Sequence, residues 1–329
     1  MSQLLKRLGA AIPKVTRTLA DAKPVDMYGD YRKNYKFKTK FGLLGPVSAG
    51  KSTLCASIVE TCEDQSATDT NFYARVLPSS SNILRDANRL RKGHFPDKTD
   101  PTMPQAPEAG LLISKTRMIN NSGVNVPICD VAGEVSDYLC ATGGSGSPAE
   151  RVKARNSGIA RAVVDTVRDC EGFIIALSAP DSLLFSDDEK DTDSYMHDVL
   201  TNIFEWRRRS GKPDPHIILV LTKWDIVMSS AKDLGMDAYN GEEGLQRFLD
   251  NGFPGMSMLL KPLRDKGKVK FFRSWFKIEK DQDQKTIYWK DTNKPKIHIL
   301  ERENSYIRFK PDFSQPDIID LIDHIISFG

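Results

Sequence analysis

Residues 45 to 53 read GPVSAGKST: Gly45, four variable residues, then Gly50, Lys51 and Ser52 in succession. Upstream, YKFKTKFGLLG (35–45) alternates and then runs apolar, as a strand entering a buried sheet does. Downstream, KSTLCASIVETC (51–62) places Leu54, Ile58 and Cys62 four residues apart, the spacing of a helix that begins where the loop ends. A strand, a glycine-rich turn and a helix in this order give the motif its structural context, that of a loop that cradles phosphate groups. Gly45 and Gly50 permit backbone angles and a closeness of approach that a side chain forbids. The backbone from Ser48 through Ala49 and Gly50 to Thr53 can then turn its N–H groups on phosphate oxygens, helped by the N-terminal end of the helix.

The remainder of the chain sets the limits within which that loop works. With 329 residues, 40% of them hydrophobic and 28% charged, the chain can bury a real core. The 47 basic and 44 acidic residues leave a net charge of +3, so no strong field calls for nucleic acid. Cys55, Cys62, Cys129, Cys140 and Cys170 show no C-x-x-C pair and no histidine at ligand spacing, the usage expected of reduced thiols in the cytoplasm. No apolar run reaches the roughly 18 residues needed to span a bilayer. Residues 1–35 read as an N-terminal extension whose first twenty residues carry Lys6, Arg7, Lys14 and Arg17 and no acid. Leu4, Leu5, Leu8 and Ile12 share one helical face there, which fits a membrane-surface or partner-docking helix, an organellar presequence, or a short helix packed on the body.

Strand and helix patterns alternate from residue 36 onward. SSNILRDANRLRK reads as a helix, GHFPDKTDPTMPQAPEAG as a long irregular loop with four prolines, and LLISKTRMI and VNVPICDVAG as a hairpin around NNSG. GFIIALSAP and HIILVLTKWD are apolar enough for buried strands. Helices are expected at 188–208, near 241–263, and at the end of the chain, where Ser314 is placed to cap and Pro316 suits the first turn. The pattern predicts an α/β fold: a mostly parallel sheet flanked by helices on both faces, with one antiparallel hairpin and with ligand bound at the carboxyl ends of the strands. The whole of 36–329 reads as one elaborated domain with insertions near 141–150 and 278–312.

Three chemical signals lie in order along it. Lys51 is placed to reach the β- and γ-phosphates of a nucleotide and Ser52 to coordinate Mg2+. In VPICDVAGE, Asp130 ends an apolar strand, where an acid can hold Mg2+, and the N–H of Gly133 can sense the γ-phosphate. In ILVLTKWD, Thr222, Lys223 and Asp225 follow an apolar strand. A carboxylate there accepts from the N1–H and 2-amino group of guanine, whereas facing adenine it would be left unpaired at a cost of roughly 1–3 kcal/mol. The Lys223 stem can cover the base. Together the phosphate loop, D-x-x-G and T-K-x-D resemble the P-loop GTPases of the Ras-like and translation-factor-related class, over residues 36 to 275 and the final helix.

That resemblance implies GTP or GDP as the bound nucleotide, Mg2+ as cofactor, and a protein effector or activating partner. Thr222 stands where the family usually has Asn. The family's switch threonine falls in the proline-rich loop, at Thr99 or Thr102; RLRKGHFPDKT followed by DVAGE favours Thr99, as in a divergent bacterial double-GTPase-like set. Ser274, after KVKFF, has the position of the last guanine-contacting loop, while SSAK (229–232) lies too soon after Asp225 to serve. Glu134 stands where a water-orienting Gln is frequent, and Arg89 or Arg91 is a candidate finger in cis. The implied activity is GTP hydrolysis, slow without a partner, with loops around 92–108 and 133–148 ordered by the γ-phosphate. The rival readings are a nucleotide-binding scaffold that hardly hydrolyses and an ATP-using P-loop kinase or ATPase. Trp224, inside the base motif, is a candidate to flank the nucleotide.

Overall fold

The computed structural model describes residues 39–46, 48–67, 72–76, 81–97, 110–114, 124–127, 167, 170–179, 187–233, 241–301 and 309–328. The strands of its main sheet are β1 (Thr39–Leu44), β2 (Tyr73–Val76), β3 (Gly110–Ser114), β4 (Val124–Pro127), β5 (Gly172–Ser178), β6 (His216–Thr222) and β7 (Val269–Arg273). They lie in the order β2-β3-β4-β1-β5-β6-β7. β1, β4, β5, β6 and β7 run parallel, and β3 is antiparallel to both its neighbours, so the fold is α/β with the hairpin where the NNSG turn put it. β2 carries no sequence pattern strong enough to be expected: four residues at a sheet edge do not establish a period.

The helices are α1 (Lys51–Ala67), α2 (Ser81–Arg91), α3 (Asp187–Arg209), α4 (Trp224–Asp233), α5 (Gly241–Gly252), α6 (Pro254–Arg264) and α7 (Gln315–Ile326). They cover both faces. Along β5 and β6 alternate residues serve opposite cores: Ile174, Ala176, Ile218 and Val220 pack with α1, α2 and α7, while Phe173, Ile175, Ile217 and Leu219 pack with α3 to α6. Burial on both faces is why these strands read as unbroken apolar runs. The single helix expected near 241–263 is two, divided at Phe253. Pro254 lacks an N–H and disfavours helical angles in its predecessor, so the chain breaks and restarts. The restarted helix is capped from outside: the buried Asp193 of α3 accepts the N–H groups of Gly255 at 2.8 Å and Met256 at 2.9 Å.

Between β7 and α7 the chain makes an antiparallel excursion. Its two ends are closed by reciprocal bonds, the Trp275 N–H donating to Ser314 Oγ and the Ser314 N–H to the Trp275 carbonyl, each at 3.1 Å. Ser314 does precede α7, but its hydroxyl serves this closure and makes no cap bond. Beyond it Phe276 stacks on Phe313, Ile278 bridges Ile297, and β8 (Ile299–Glu301) pairs with β9 (Phe309–Pro311). The excursion is tied back by a buried ion pair. Lys310 Nζ lies 2.9 Å from Asp64 Oδ2 of α1, Gln315 Nε2 donates to the same oxygen at 2.7 Å, and Lys310 also donates to Gln315 Oε1. The expected N-terminal extension and the 141–150 insertion lie outside the described residues. Among those described, no helix is long and apolar enough to cross a membrane, and Cys55, Cys62 and Cys170 are buried free thiols.

Lys310→Met leaves the Asp64 carboxylate buried without its cation, and the expected loss of stability is about 3 kcal/mol in urea unfolding. Adding Asp64→Leu should restore most of it, because an apolar pair avoids the desolvation that the carboxylate suffers once Lys310 is removed.

Candidate functional site

The chain leaves β1 toward β2, β3 and β4 on one side and then crosses to β5 on the other. The carboxyl end of β1 is therefore the point at which strand order reverses, where open α/β sheets bind ligands. Residues 45–50 lie there. Gly45 has φ +151°, and a Cβ on it would stand 2.4 Å from the Ala176 carbonyl oxygen of β5. Ser48 at φ 64° and Gly50 at φ 80° hold left-handed conformations, Ser48 without glycine's freedom. The Leu54 N–H donates to the Gly50 carbonyl at 2.8 Å, so the helical ladder begins at Gly50. The N–H groups of Lys51, Ser52 and Thr53 then belong to the first turn, whose donors have no acceptor within a helix, at the positive end of the helix dipole. Lys51 is buried and arches over the loop, its Nζ donating to the carbonyls of Gly45 at 2.8 Å and Pro46 at 2.7 Å.

The TKWD turn adjoins this loop. Thr222 ends β6, and its Oγ1 lies 2.8 Å from the Ala49 carbonyl and 3.2 Å from that of Leu177. One hydroxyl proton serves both acceptors, mainly the nearer. Thr222 also walls the loop, since a Cβ on Gly50 would stand 3.3 Å from Thr222 Oγ1. Lys223 is exposed at φ 55°, a left-handed step that turns the strand into α4. Asp225 lies half-buried in the first turn of that helix, and burial pushes its carboxyl above the ordinary range, opposed by its own backbone N–H and by Lys223. Ser274, at the end of β7, accepts from the Trp224 N–H at 3.2 Å and donates its own N–H to Leu221 at 2.8 Å. The structure thus brings Gly45, Ser48, Ala49, Gly50, Lys51, Ser52, Thr53, Thr222, Lys223, Asp225 and Ser274 to adjoining strand ends. SSAK lies within α4, ahead of β7, as its spacing required.

The contacts of three further candidate residues point away from the site. Trp224 does not flank the site: its side chain is 1% exposed and packs edge-on against Phe248 at 5.1 Å in the core below α4. Its size and apolarity outweigh its place in the motif. Neither Arg89 nor Arg91 is a free finger. Arg89 makes a two-pronged pair with Asp97 at 2.5 and 3.0 Å, and Arg91 binds Glu60 at 2.9 Å and also pairs with Glu63. Glu60 is nine residues along α1 from Lys51 (60 − 51), about 13 Å at 1.5 Å per residue, which holds Arg91 away from the loop at 45–50. Thr99, Thr102, Asp130, Gly133 and Glu134 lie outside the described residues. The part played by Leu177 and Ala176, whose backbones support the loop, left no signal in the sequence because a carbonyl is common to every residue.

No protein-family model and no curated protein matches the chain. Several solved structures are similar to it, two of them as follows. One is an ADP-ribosylation-factor-like GTP-binding protein, the small COPII coat GTPase SAR1 from Encephalitozoon cuniculi in complex with GDP, at 13% identity and TM-score 0.26 over 83% of this chain and 82% of that one. The other is the S. cerevisiae Ski7 GTPase-like domain bound to GTP, at 12% identity and TM-score 0.33 over 74% of this chain and 44% of that one. Likenesses so loose transfer no residue or role, and the site rests on its own geometry.

Thr222→Val keeps the shape of the side chain and removes the hydroxyl, leaving the Ala49 and Leu177 carbonyls without it. The expected cost is about 1–3 kcal/mol in thermal or urea unfolding, with Thr222→Ser close to wild type.

Proposed function

We propose that the chain binds GTP and GDP with Mg2+ and hydrolyses GTP as a molecular switch, slowly unless a partner assists. The observation that carries this reading is the Thr222 hydroxyl on the Ala49 carbonyl, which sets the phosphate loop and the Asp225 turn in one frame at the switch point of the sheet. The donor set fits the ligand at both ends. First-turn N–H groups and Lys51 suit phosphate oxygens, and a half-buried carboxylate suits the paired N–H donors of guanine. Lys223 would lay its stem along the base, and Ser274 would present backbone to it from the next strand. Mg2+ would be held by Ser52 with Asp130 and Thr99, and would supply charge neutralisation on the phosphates. Gly133 would read the γ-phosphate and Glu134 would orient the attacking water. Slow turnover is supported by the ion pairs of Arg89 and Arg91, which leave the missing positive charge to a protein partner. The loops at 92–108 and 133–148 are the surfaces such a partner would read.

Titration with fluorescent GTP and ATP analogues tests the reading. Guanine nucleotide should bind far more tightly, and Asp225→Asn should abolish the preference and shift it toward xanthine nucleotides. Equal affinity for ATP and GTP would defeat the proposal in favour of a P-loop kinase or ATPase. Guanine preference without phosphate release on long incubation with GTP would instead leave a nucleotide-binding scaffold.

The pH dependence has a definite sign. Guanine donors need the Asp225 carboxylate, whose pKa is raised in the free protein by burial. GTP affinity should be level above that pKa and fall below it by up to about tenfold per pH unit, since binding must then expel a proton. In Asp225→Asn this dependence should vanish, a comparison made by isothermal titration across pH 4.5–8.

A further inference from the structure

β7 is an edge of the main sheet. It pairs in parallel with β6, Ile217 opposite Val269 and Leu219 opposite Phe271, and among the described residues no strand lies on its other side. The Ile217 N–H donates to the Lys268 carbonyl and the Ser274 N–H to the Leu221 carbonyl, so the even-numbered residues of this stretch turn their backbone toward β6. Successive residues of a strand turn their backbone groups to opposite sides, so the N–H and carbonyl groups of Val269, Phe271 and Arg273 face outward along the open edge. Such a row of donors and acceptors is a template for another strand.

Beside the edge lies an open groove of 530 Å³, lined by Glu242, Glu243, Gln246 and Arg247 of α5, Arg264 of α6 and the partly buried Phe271 ring. Gln246 gives its amide N–H to Asp250 at 2.6 Å, while its Oε1 is buried and accepts from no donor. Glu243 and Arg247 stand one turn apart on the exposed side of α5, and among the described residues neither belongs to an ion pair. Lys270 Nζ reaches Glu242 Oε1 at 3.4 Å. Both partners are exposed, so the pair is weak and guards the edge without closing it.

We propose that this edge and groove are the interface for a second copy of the chain, β7 pairing antiparallel with its own counterpart about a twofold axis at Phe271. A twofold demands self-complementarity, since a residue that meets another must be met by it in return. The backbone satisfies the demand: the outward-facing groups pair Phe271 with Phe271 and Val269 with Arg273, each pair exchanging N–H and carbonyl bonds as an antiparallel ladder requires. The two Phe271 rings then stand opposite each other, a favourable cross-strand pair. The charges satisfy it as well. The axis sets the two α5 helices head to tail along the groove, Glu243 of each copy toward Arg247 of the other, with Gln246 Oε1 a further acceptor for that guanidinium. A segment of one charge sign would leave either Glu243 or Arg247 unmatched, and this favours a second copy as the occupant. The pairing is independent of the nucleotide reading.

Sedimentation velocity of the full-length chain over a range of concentrations tests the pairing, at low ionic strength where the charge pairs are least screened. The wild type should show a reversible equilibrium between monomer and dimer. Glu243→Arg and Arg247→Glu should each weaken the dimer about tenfold, because like charges then meet twice across the axis. Mixing these two variants should restore a dimer containing one of each, since the basic face of one meets the acidic face of the other, a result that no effect within a single chain produces. Phe271→Lys should abolish association by setting like charges directly opposite. A monomer at every concentration would overturn the proposal and leave the edge to an extended segment of another protein. A dimer that none of the three substitutions weakens would also overturn it, as would a mixture that recovers no association.

Discussion

At Gly45 the backbone passes so near the Ala176 carbonyl that no side chain fits between them. β1 and β5 stay in parallel register to their last paired residues, Leu44 against Ile175, so the next residue must cross the β5 backbone at contact distance. Only glycine can do this. The crossing carries the loop to the end of β6, where Thr222 takes the Ala49 carbonyl while the Thr222 carbonyl accepts from Ala179 at the end of β5. Three strand ends are thereby tied into one surface. A bulkier residue at 45 would separate β1 from β5 and remove the reference that the loop and the TKWD turn share.

The same turn shows how one short motif divides its side chains by environment. Thr222 bonds to the Ala49 carbonyl of the loop after β1, Lys223 stands in solvent, Trp224 is driven into the core against Phe248, and Asp225 is left half-buried. The indole is an anchor that fixes the direction in which α4 departs. The left-handed backbone at Lys223 makes that departure abrupt, and the bond from Trp224 N–H to Ser274 ties the turn to β7. Asp225 meets a desolvation cost as the consequence, one that a ligand offering two N–H donors would offset.

The core of this arrangement was readable from the sequence because it depends on strong local signals. Apolar runs marked β5 and β6, and a glycine-rich turn between strand and helix marked the loop at the switch point of the sheet. What escaped reading depends on partners distant in the chain. β2 exists because β3 pairs with it, and four residues carry no period of their own. The divided helix at Phe253 was signalled by Pro254, yet the apolar face continues across the break and hides it. Ser314 looked like a cap because capping is the commonest use of serine there, but Trp275, thirty-nine residues earlier, holds its hydroxyl. Arginines before the proline-rich loop invited a catalytic role, but their guanidinium groups are taken up by Asp97, Glu60 and Glu63.

The excursion obeys a different logic from the sheet. Its closure by Trp275 and Ser314 means that its length costs the domain little, since loop entropy grows only slowly once the ends are joined. A module so closed could remain a passive appendage. It is instead joined to the body at two kinds of contact: a buried cluster, Lys310 with Asp64 and Gln315, which secures its root, and the bonds of Trp289, Lys294 and Ile297, which secure a short segment of someone else's helix end. The first kind is insulated from solvent and strong. The second is half-exposed, so its net strength is modest and open to competition from water or a partner surface. A fixed root with a weaker tip thus divides the excursion between a buried attachment to α1 and a half-exposed attachment to the end of α2.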